Sequence, residues 1–246
     1  MRKIPWFWKL SLSLNLFLIF FIIGTTIFVV DRWGVNFILW RLDSRKIGVF
    51  PPDYPKKPYL NRISHFESLP DEEGEIIFFG DSITDGAEWH ELFGTASIKN
   101  RGIGGDMSGN LLWRIDEVIH RKPRKLFIMI GTNDLAYHTG KPALMTNYEE
   151  IIQRIRSASP ETEIYIQSLL PVWGKWTWHR DNPHIREANR RLVLLAKKYH
   201  CTYVDLFSSF VAENGELKTE LSFDGLHLSG KGYLLWKEKI EPYVKD

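Results

Sequence analysis

The sequence predicts an α/β fold in which a parallel sheet is covered by helices on both faces. Short, nearly continuous apolar runs alternate with segments whose apolar residues recur at helical spacing, and this alternation is typical of strands buried on both sides. The chain has 246 residues, of which 44% are hydrophobic, which is enough to build one complete core. A single folded domain is therefore expected.

Five segments are predicted to be strands, in the order 76–79, 97–99, 125–130, 163–170 and 202–207. Helical periodicity follows the last four of them, over 111–119, 148–155, 185–199 and 233–240. The carboxyl ends of parallel strands meet at one edge of a sheet, where open α/β folds bind their ligands. We therefore expect the functional residues to follow directly after the strands.

A long apolar segment near the N-terminus predicts a membrane anchor. Residues 10–30, "LSLSLNLFLIFFIIGTTIFVV", contain no charge and are long enough to cross a hydrocarbon core of about 30 Å. The alternative is a cleaved signal peptide, but such peptides have shorter apolar regions and end in small residues. We expect an uncleaved transmembrane helix, preceded by a short basic tail at 1–9, in a single-pass membrane protein.

The orientation of that helix rests on weaker signals, because basic residues flank it almost equally on both sides. The chain opens like a signal sequence, so we expect the folded domain on the extracytoplasmic side. Residues 31–74 are predicted to form a membrane-proximal connector in which the proline-rich stretch 51–59, "PPDYPKKPY", is extended. The folded domain is predicted to cover 75–246.

Composition argues against several other classes of function. The net charge is +2 and the basic residues are interspersed with acidic ones, so no nucleic-acid partner is expected. The single cysteine, Cys201, excludes an internal disulfide and offers no thiolate cluster, so no metal is expected. The "GIGGD" run lacks the complete pattern of a dinucleotide-binding loop. No cofactor is predicted.

Four short motifs lie at or after predicted strand ends: "GDSIT" at 80–84, "NRGIGGD" at 100–106, "GTND" at 131–134 and "DGLH" at 224–227. Each has an ordinary structural explanation when taken alone. Ser82 and Asn133 could cap helices, the glycines could allow a tight turn, and the last motif could be a surface loop. Together, at one edge of the sheet, they supply every group that acyl transfer requires.

Ser82 is the candidate nucleophile. A serine hydroxyl reacts slowly unless a base removes its proton; His227 can be that base, and Asp224 can hold the tautomer of the imidazole. The tetrahedral oxyanion needs preorganised donors. The backbone N–H groups of Ser82 and Gly105 and the side-chain amide of Asn133 can supply them, and Gly105 has no side chain to block an approaching ester.

The four motifs, in this order, resemble the blocks of the GDSL/SGNH hydrolases over about residues 75–240. The stretches "NRGIGGD" and "DGLHLSGKGY" are most similar to the motifs of one branch of this family, which resembles platelet-activating-factor acetylhydrolase subunits and carbohydrate O-acetylesterases. The resemblance implies a flavodoxin-like three-layer α/β/α sandwich with a five-stranded parallel sheet (the SGNH hydrolase fold) and no cofactor. It also implies a triad and an oxyanion hole formed by Ser82, Asp224, His227, Gly105 and Asn133. No G-x-S-x-G elbow surrounds the serine, which argues against the α/β-hydrolase fold.

Candidate substrate-binding residues come mainly from the loop after the fourth strand, 171–184. Its tryptophans could stack on a sugar or hold an acyl chain, and its arginine could meet a carboxylate or phosphate. The alternative is that these side chains pack over the sheet edge and close the domain. The predicted substrate-binding set is Asp81, Trp173, Trp176, Trp178 and Arg180.

These observations predict a membrane-anchored serine esterase that cleaves short-chain esters, expected to be acetyl esters of a carbohydrate or a lipid, through an acyl-serine intermediate. Two alternatives stay open. The same triad could serve an O-acetyltransferase, which passes the acyl group to a sugar hydroxyl instead of water. The domain could also be a non-catalytic glycan- or lipid-binding module, although a binder has no need of all four motifs.

Overall fold

A five-stranded parallel sheet forms the core of the described domain. The computed structural model describes residues 56–72, 74–136, 143–174, 176 and 180–245. The strands are β1 Ile76–Gly80, β2 Ile98–Gly102, β3 Lys125–Met129, β4 Glu163–Gln167 and β5 Thr202–Val204, arranged in the order β2-β1-β3-β4-β5. All four pairings are parallel. The predicted α/β fold with a five-stranded parallel sheet is confirmed.

The register of the three strands nearest the site brings their carboxyl ends to one level. Gly80 at the end of β1 pairs with Gly102 at the end of β2 and with Met129 at the end of β3. The chain direction across the sheet reverses at β1, since β2 and β3 lie on its two sides. Ligands of open α/β sheets bind at this kind of topological switch point.

The helices are α1 Lys56–Glu67, α2 Ser82–Asp85, α3 Trp89–Phe93, α4 Ser108–Trp113, α5 Ile115–His120, α6 Thr132–Ala136, α7 Leu144–Ala158, α8 Asn182–Lys198, α9 Phe207–Phe210 and α10 Gly230–Lys245, with a short 3-10 helix at Thr219–Leu221. Helices α3 and α10 contact each other. Helix α7 contacts α4, α5 and α8. The central strands β1 and β3 are buried along their whole length. This burial is expected of a parallel sheet that helices cover on both faces.

Aromatic side chains join the helix pair α3 and α10 to the sheet. Phe78 of β1 stacks on Trp89 of α3, with ring centroids 4.2 Å apart, and on Phe127 of β3 at 4.8 Å. Trp236 of α10 meets Trp89 edge-on at 4.8 Å, and its Nε1 donates a hydrogen bond of 2.7 Å to Gln167 of β4. This packing holds α10 against the sheet, and the "DGLH" motif lies in the segment just before that helix.

The predicted fourth strand is longer than the observed one. Strand pairing of β4 ends at Gln167, because two residues later the backbone bonds to a side chain instead. Leu169 donates its N–H to the amide oxygen of Asn189 at 2.8 Å and accepts a hydrogen bond from the same side chain at 3.0 Å. The chain is therefore held by helix α8 as it leaves the sheet towards the loop 171–181.

Helix α1 lies in the segment predicted as a connector. The expectation of an extended chain over 51–59 is wrong for its last four residues, which are helical. Pro58 falls in the first turn of α1, where its missing N–H costs no hydrogen bond. Tyr59, Ile63 and Phe66 recur at helical spacing and are buried, so burial of this face stabilises the helix on the domain.

No helix within the described ranges is long and apolar enough to cross a membrane. The predicted tail at 1–9, the predicted anchor at 10–30 and the first part of the predicted connector, to residue 55, lie outside the described residues. The membrane anchor therefore stays a prediction.

Candidate active site

The segment after β1 places Ser82 at the first position of helix α2. Asp81, not Ser82, is the N-cap, and its Oδ1 accepts the N–H of Ile83 at 3.0 Å. A side chain on Gly80 would put its Cβ 2.2 Å from Oγ1 of Thr84 and 2.5 Å from the carbonyl oxygen of Met129. Glycine is therefore required at residue 80 for so tight a turn from strand to helix. Because Asp81 caps the helix, the hydroxyl of Ser82 is left available for chemistry.

Ser82, His227 and Asp224 form a hydrogen-bonded series. Oγ of Ser82 lies 3.0 Å from Nε2 of His227, and Nδ1 of that ring lies 2.7 Å from Oδ2 of Asp224. The serine follows β1, whereas the other two residues lie 142 and 145 positions later in the sequence, just before α10. The structure thus brings the three predicted triad residues into contact in the order that the chemistry requires.

A tight turn surrounds the carboxylate of Asp224 and supplies hydrogen bonds that lower its pKa. Its Oδ1 accepts the backbone N–H groups of Leu226 and His227 at 2.9 and 2.8 Å. Partial burial acts to raise the pKa of Asp224, but the hydrogen bonds from the His227 ring and from these two amides outweigh it and lower the pKa to about 2. The carboxylate is therefore ionised at neutral pH, as the orienting group of such a series must be.

The glycine-rich motif forms a tight turn beside the nucleophile. Asp106 donates its N–H to the carbonyl oxygen of Ile103 at 3.2 Å, and Gly105 has a φ of 82°, which favours glycine. A Cβ on Gly104 would lie 3.9 Å from Cβ of Ser82. In the part of the chain that the structure describes, the N–H groups of Ser82 and Gly105 donate to no acceptor, so both can serve a ligand.

The amide of Asn133, in helix α6 after β3, is held from two sides. Its Nδ2 donates to the carbonyl oxygen of Asp106 at 2.9 Å, and its Oδ1 accepts a hydrogen bond of 3.0 Å from Nη2 of Arg180. These two partners determine which end of the amide is nitrogen. One N–H of Asn133 is used in this way, which leaves the second N–H for a ligand.

Buried carboxylates support these loops from below. Asp106 pairs with Arg114, which donates from Nε at 2.9 Å and from Nη2 at 2.7 Å. Asp134 accepts the backbone N–H of Ser108 at 2.9 Å and also its hydroxyl. Burial raises the pKa of Asp134 to about 7 and that of Asp106 to about 6, although Arg114 pulls the latter down. The sequence motifs contain both acids, but no local signal shows that they are buried supports.

Two of the predicted substrate-binding residues are largely enclosed by protein. Asp81 is 1% exposed and its carboxylate caps α2; burial raises the pKa of Asp81 to about 7. Arg180 is 5% exposed, and Nε of its guanidinium donates to the carbonyl oxygen of Thr132 at 2.9 Å. Their predicted contact with substrate is not tested by these positions and stays a prediction.

The tryptophan loop touches the turn that carries the acid. Nε1 of Trp176 donates to the carbonyl oxygen of Asp224 at 2.8 Å, and its ring stands edge-on to that of His227, with centroids 6.5 Å apart. Trp173 donates its N–H to the carbonyl oxygen of Gly225 at 3.0 Å. Both rings are half-buried, so the packing interpretation and the substrate-binding interpretation both remain open. Trp178 lies outside the described residues.

A family profile and the sequences of known relatives point to the same protein family. The profile of the GDSL-like lipase/acylhydrolase family matches residues 78–235. The platelet-activating factor acetylhydrolase IB subunit alpha2 of Rattus norvegicus is 31% identical over 174 residues, which cover 66% of this chain and 72% of the relative. All four motifs lie within residues 78–235, which the family profile matches.

Solved structures agree with the observed fold. A GDSL-like lipase from Bacteroides thetaiotaomicron is 25% identical, with a TM-score of 0.67 over 76% of this chain and 97% of its own. A catalytic mutant of an acetylxylan esterase from Geobacillus stearothermophilus has a TM-score of 0.58 at 18% identity, over 71% of this chain and 95% of its own. The latter similarity shows the shared fold alone.

Proposed function

Because the chain belongs to the GDSL-like lipase/acylhydrolase family and is a carboxylic ester hydrolase, we propose that Ser82, His227 and Asp224 perform its reaction through an acyl-serine intermediate. One observation supports this proposal above the others. The hydroxyl, the imidazole and the carboxylate follow one another within hydrogen-bond distance, at 3.0 and 2.7 Å.

In the proposed first half-reaction, Oγ of Ser82 attacks the ester carbonyl carbon while Nε2 of His227 takes the hydroxyl proton. The negative charge of the tetrahedral intermediate moves to the former carbonyl oxygen. Its collapse breaks the bond to the leaving alcohol, and His227 returns the proton to that oxygen. Asp224 stabilises the imidazolium in the interval, and the acyl group stays on the serine.

In the second half-reaction, water takes the place of the alcohol. His227 accepts a proton from water, the hydroxide oxygen attacks the acyl carbon, and the returning proton frees the serine hydroxyl as the carboxylic acid leaves. The oxyanion of both steps is bound by the N–H groups of Ser82 and Gly105 and by the second N–H of Asn133. Each such donor stabilises the transition state by about 3 kcal/mol.

The proposed substrate is a short-chain ester, an acetyl ester of a carbohydrate or of a lipid. This choice is supported by the relatives, which are described as platelet-activating factor acetylhydrolase subunits, and by the two half-buried tryptophan rings beside the triad. We further propose that residues 10–30 anchor the domain to a membrane, because that segment is uncharged over its whole length. We propose the extracytoplasmic side for the domain because the chain opens like a signal sequence, with basic residues before the apolar segment.

A substrate panel tests the proposal. The full chain, purified in detergent, is given p-nitrophenyl acetate, butyrate and octanoate and an acetylated xylose, and free acid is quantified. We expect the highest kcat/KM for acetyl esters, no turnover by Ser82→Ala, and unchanged turnover by Ser157→Ala, whose serine is exposed on α7. A preference for octanoate would contradict the short acyl group, and acetate found on added sugar would indicate a transferase.

The anchor has its own test. Vesicles that contain the full chain are washed with alkaline carbonate, which releases peripheral proteins, and we expect the chain to stay in the pellet. Complete release into the supernatant would rule out the membrane anchor without affecting the proposal for the triad.

A further inference from the structure

Arg180 connects two parts of the site that come from distant parts of the chain. It lies at the end of the loop between β4 and α8, and its side chain is buried. Nη2 donates to Oδ1 of Asn133 at 3.0 Å, and Nε donates to the carbonyl oxygen of Thr132 at 2.9 Å. The guanidinium therefore donates hydrogen bonds to both the backbone and a side chain at the start of α6.

The two hydrogen-bond partners of the Asn133 amide together set its orientation. A side-chain amide can rotate by 180°, which exchanges its oxygen and its nitrogen. A guanidinium only donates hydrogen bonds, so it can face only the amide oxygen, whereas the carbonyl oxygen of Asp106 can only face the nitrogen. Together they hold Nδ2 of Asn133 in the orientation that an oxyanion donor needs.

The guanidinium of Arg180 also lies over the ring of Trp176. The guanidinium carbon lies 4.9 Å from the centre of the indole ring, a cation–π arrangement. Nε1 of that indole donates to the carbonyl oxygen of Asp224 at 2.8 Å. The contacts run from Asn133 through Arg180 and Trp176 to Asp224, so the amide donor and the acid of the triad are held by a common support.

We infer that Arg180 is a positioning residue for hydrolysis, which acts by fixing the amide of Asn133 and is itself held in place by Trp176. This inference rests on the proposed role of Asn133 as an oxyanion donor. Loss of the guanidinium removes the partner of the amide oxygen, so that only the carbonyl oxygen of Asp106 still holds the side chain and the second N–H of Asn133 is less well directed at the developing negative charge. The transition state loses stabilisation, while binding of the uncharged ester changes little.

The test is a double-mutant cycle on p-nitrophenyl acetate with Arg180→Met, Asn133→Ala and the double variant of the full chain. We expect Asn133→Ala to lower kcat by about 10²- to 10³-fold. Arg180→Met should lower kcat by about 10- to 100-fold with KM within about threefold of the wild type, since it removes only the fixed orientation. In the Asn133→Ala background, Arg180→Met should cost less than about threefold.

Two controls separate positioning from general loss of structure. Arg121 is a buried arginine that donates to the carbonyl oxygens of Pro70 and Phe66, at 2.8 and 3.3 Å, and it lies just before the amino end of β3, whereas the site follows the carboxyl ends of the strands. Arg121→Met should lower the melting temperature and leave kcat per folded molecule unchanged. Arg180→Lys, which retains a donor and the charge, should recover part of the kcat that Arg180→Met loses, and it keeps the test valid if the methionine variant does not fold.

Three results would overturn the inference. A raised KM with unchanged kcat in Arg180→Met would make the arginine a substrate contact. An equal loss of kcat in the wild-type and Asn133→Ala backgrounds would mean that Arg180 acts independently of the amide. An unchanged kcat in Arg180→Met, with Asn133→Ala impaired, would leave the oxyanion hole standing and remove Arg180 from it. Wild-type kcat in Asn133→Ala would instead refute the proposed role of Asn133 itself.

Discussion

At the scale of single residues, Asp224 uses its two oxygens for two different purposes. Oδ1 closes the turn by accepting the N–H groups of Leu226 and His227, and Oδ2 accepts the hydrogen bond from the imidazole. The same carboxylate therefore shapes the loop and selects the tautomer in which Nδ1 carries a proton and Nε2 can accept one from Ser82.

Asp224→Asn separates these two purposes. The asparagine Oδ1 can still accept the two backbone N–H groups, so the turn should persist, but its Nδ2 now donates towards the imidazole. The ring must then accept at Nδ1 and carry its proton on Nε2, where it cannot act as the base. We expect kcat to fall by up to about 10⁴-fold with little change in melting temperature. A variant with wild-type kcat would remove Asp224 from the mechanism.

At the scale of secondary-structure elements, helix α1 is held to the domain mainly by its apolar face. Phe66 is 2% exposed, and the guanidinium groups of Arg62 and Arg101 lie 4.5 and 4.9 Å from the centre of its ring. Arg62 also pairs with Asp85 of α2 at 3.1 Å. The helix is thus connected to the element that carries the nucleophile.

A matched pair of substitutions on α1 measures this packing. Phe66→Ala removes a buried aromatic ring and should lower the free energy of unfolding by about 3 to 5 kcal/mol. Leu60→Ala, on the same helix but 47% exposed, should lower it by less than about 1 kcal/mol. Both values come from urea unfolding curves of the full chain. Equal effects of the two substitutions would mean that α1 does not pack as described.

The elements differ in how well their sequence predicts them. Strands β1 and β3 are predictable because both faces are buried and the apolar run is continuous, as in 76–79. Helix α1 was missed because its prolines, which favour an extended chain in isolation, fall before and within its first turn, while its stability comes from packing. The four site motifs are local patterns and were found. The support of Asn133 by Arg180 depends on a contact between residues 47 positions apart, which no local pattern encodes.

At the scale of the whole molecule, three buried carboxyl groups lie behind the site. Burial first, and neighbouring acids to a smaller extent, raise the pKa of Asp81 and of Asp134 to about 7 and that of Asp106 to about 6. A carboxyl group with a higher pKa in the folded state binds more protons when folded than when unfolded. These groups should therefore make the fold less stable as the pH rises from about 4 to about 7.

Asp134→Asn tests that pH dependence. The asparagine retains an oxygen that can accept from Ser108 but cannot titrate, so one contribution to the slope is removed. Between pH 4 and pH 7 we expect the free energy of unfolding to fall less steeply with pH than in the wild type, by at most about 1.4 kcal/mol per pH unit. Urea unfolding at several pH values measures both slopes, and identical slopes would contradict the assignment.

The central claim is that the hydroxyl of Ser82 is the nucleophile, activated by His227 and Asp224. The most direct test is covalent trapping of the full chain with a fluorophosphonate, followed by intact-protein and peptide mass spectrometry. The account predicts one adduct per chain on Ser82, none on Ser82→Ala, and much slower labelling of His227→Ala. An adduct on a different residue, or no adduct on wild-type protein that still hydrolyses p-nitrophenyl acetate, would contradict it.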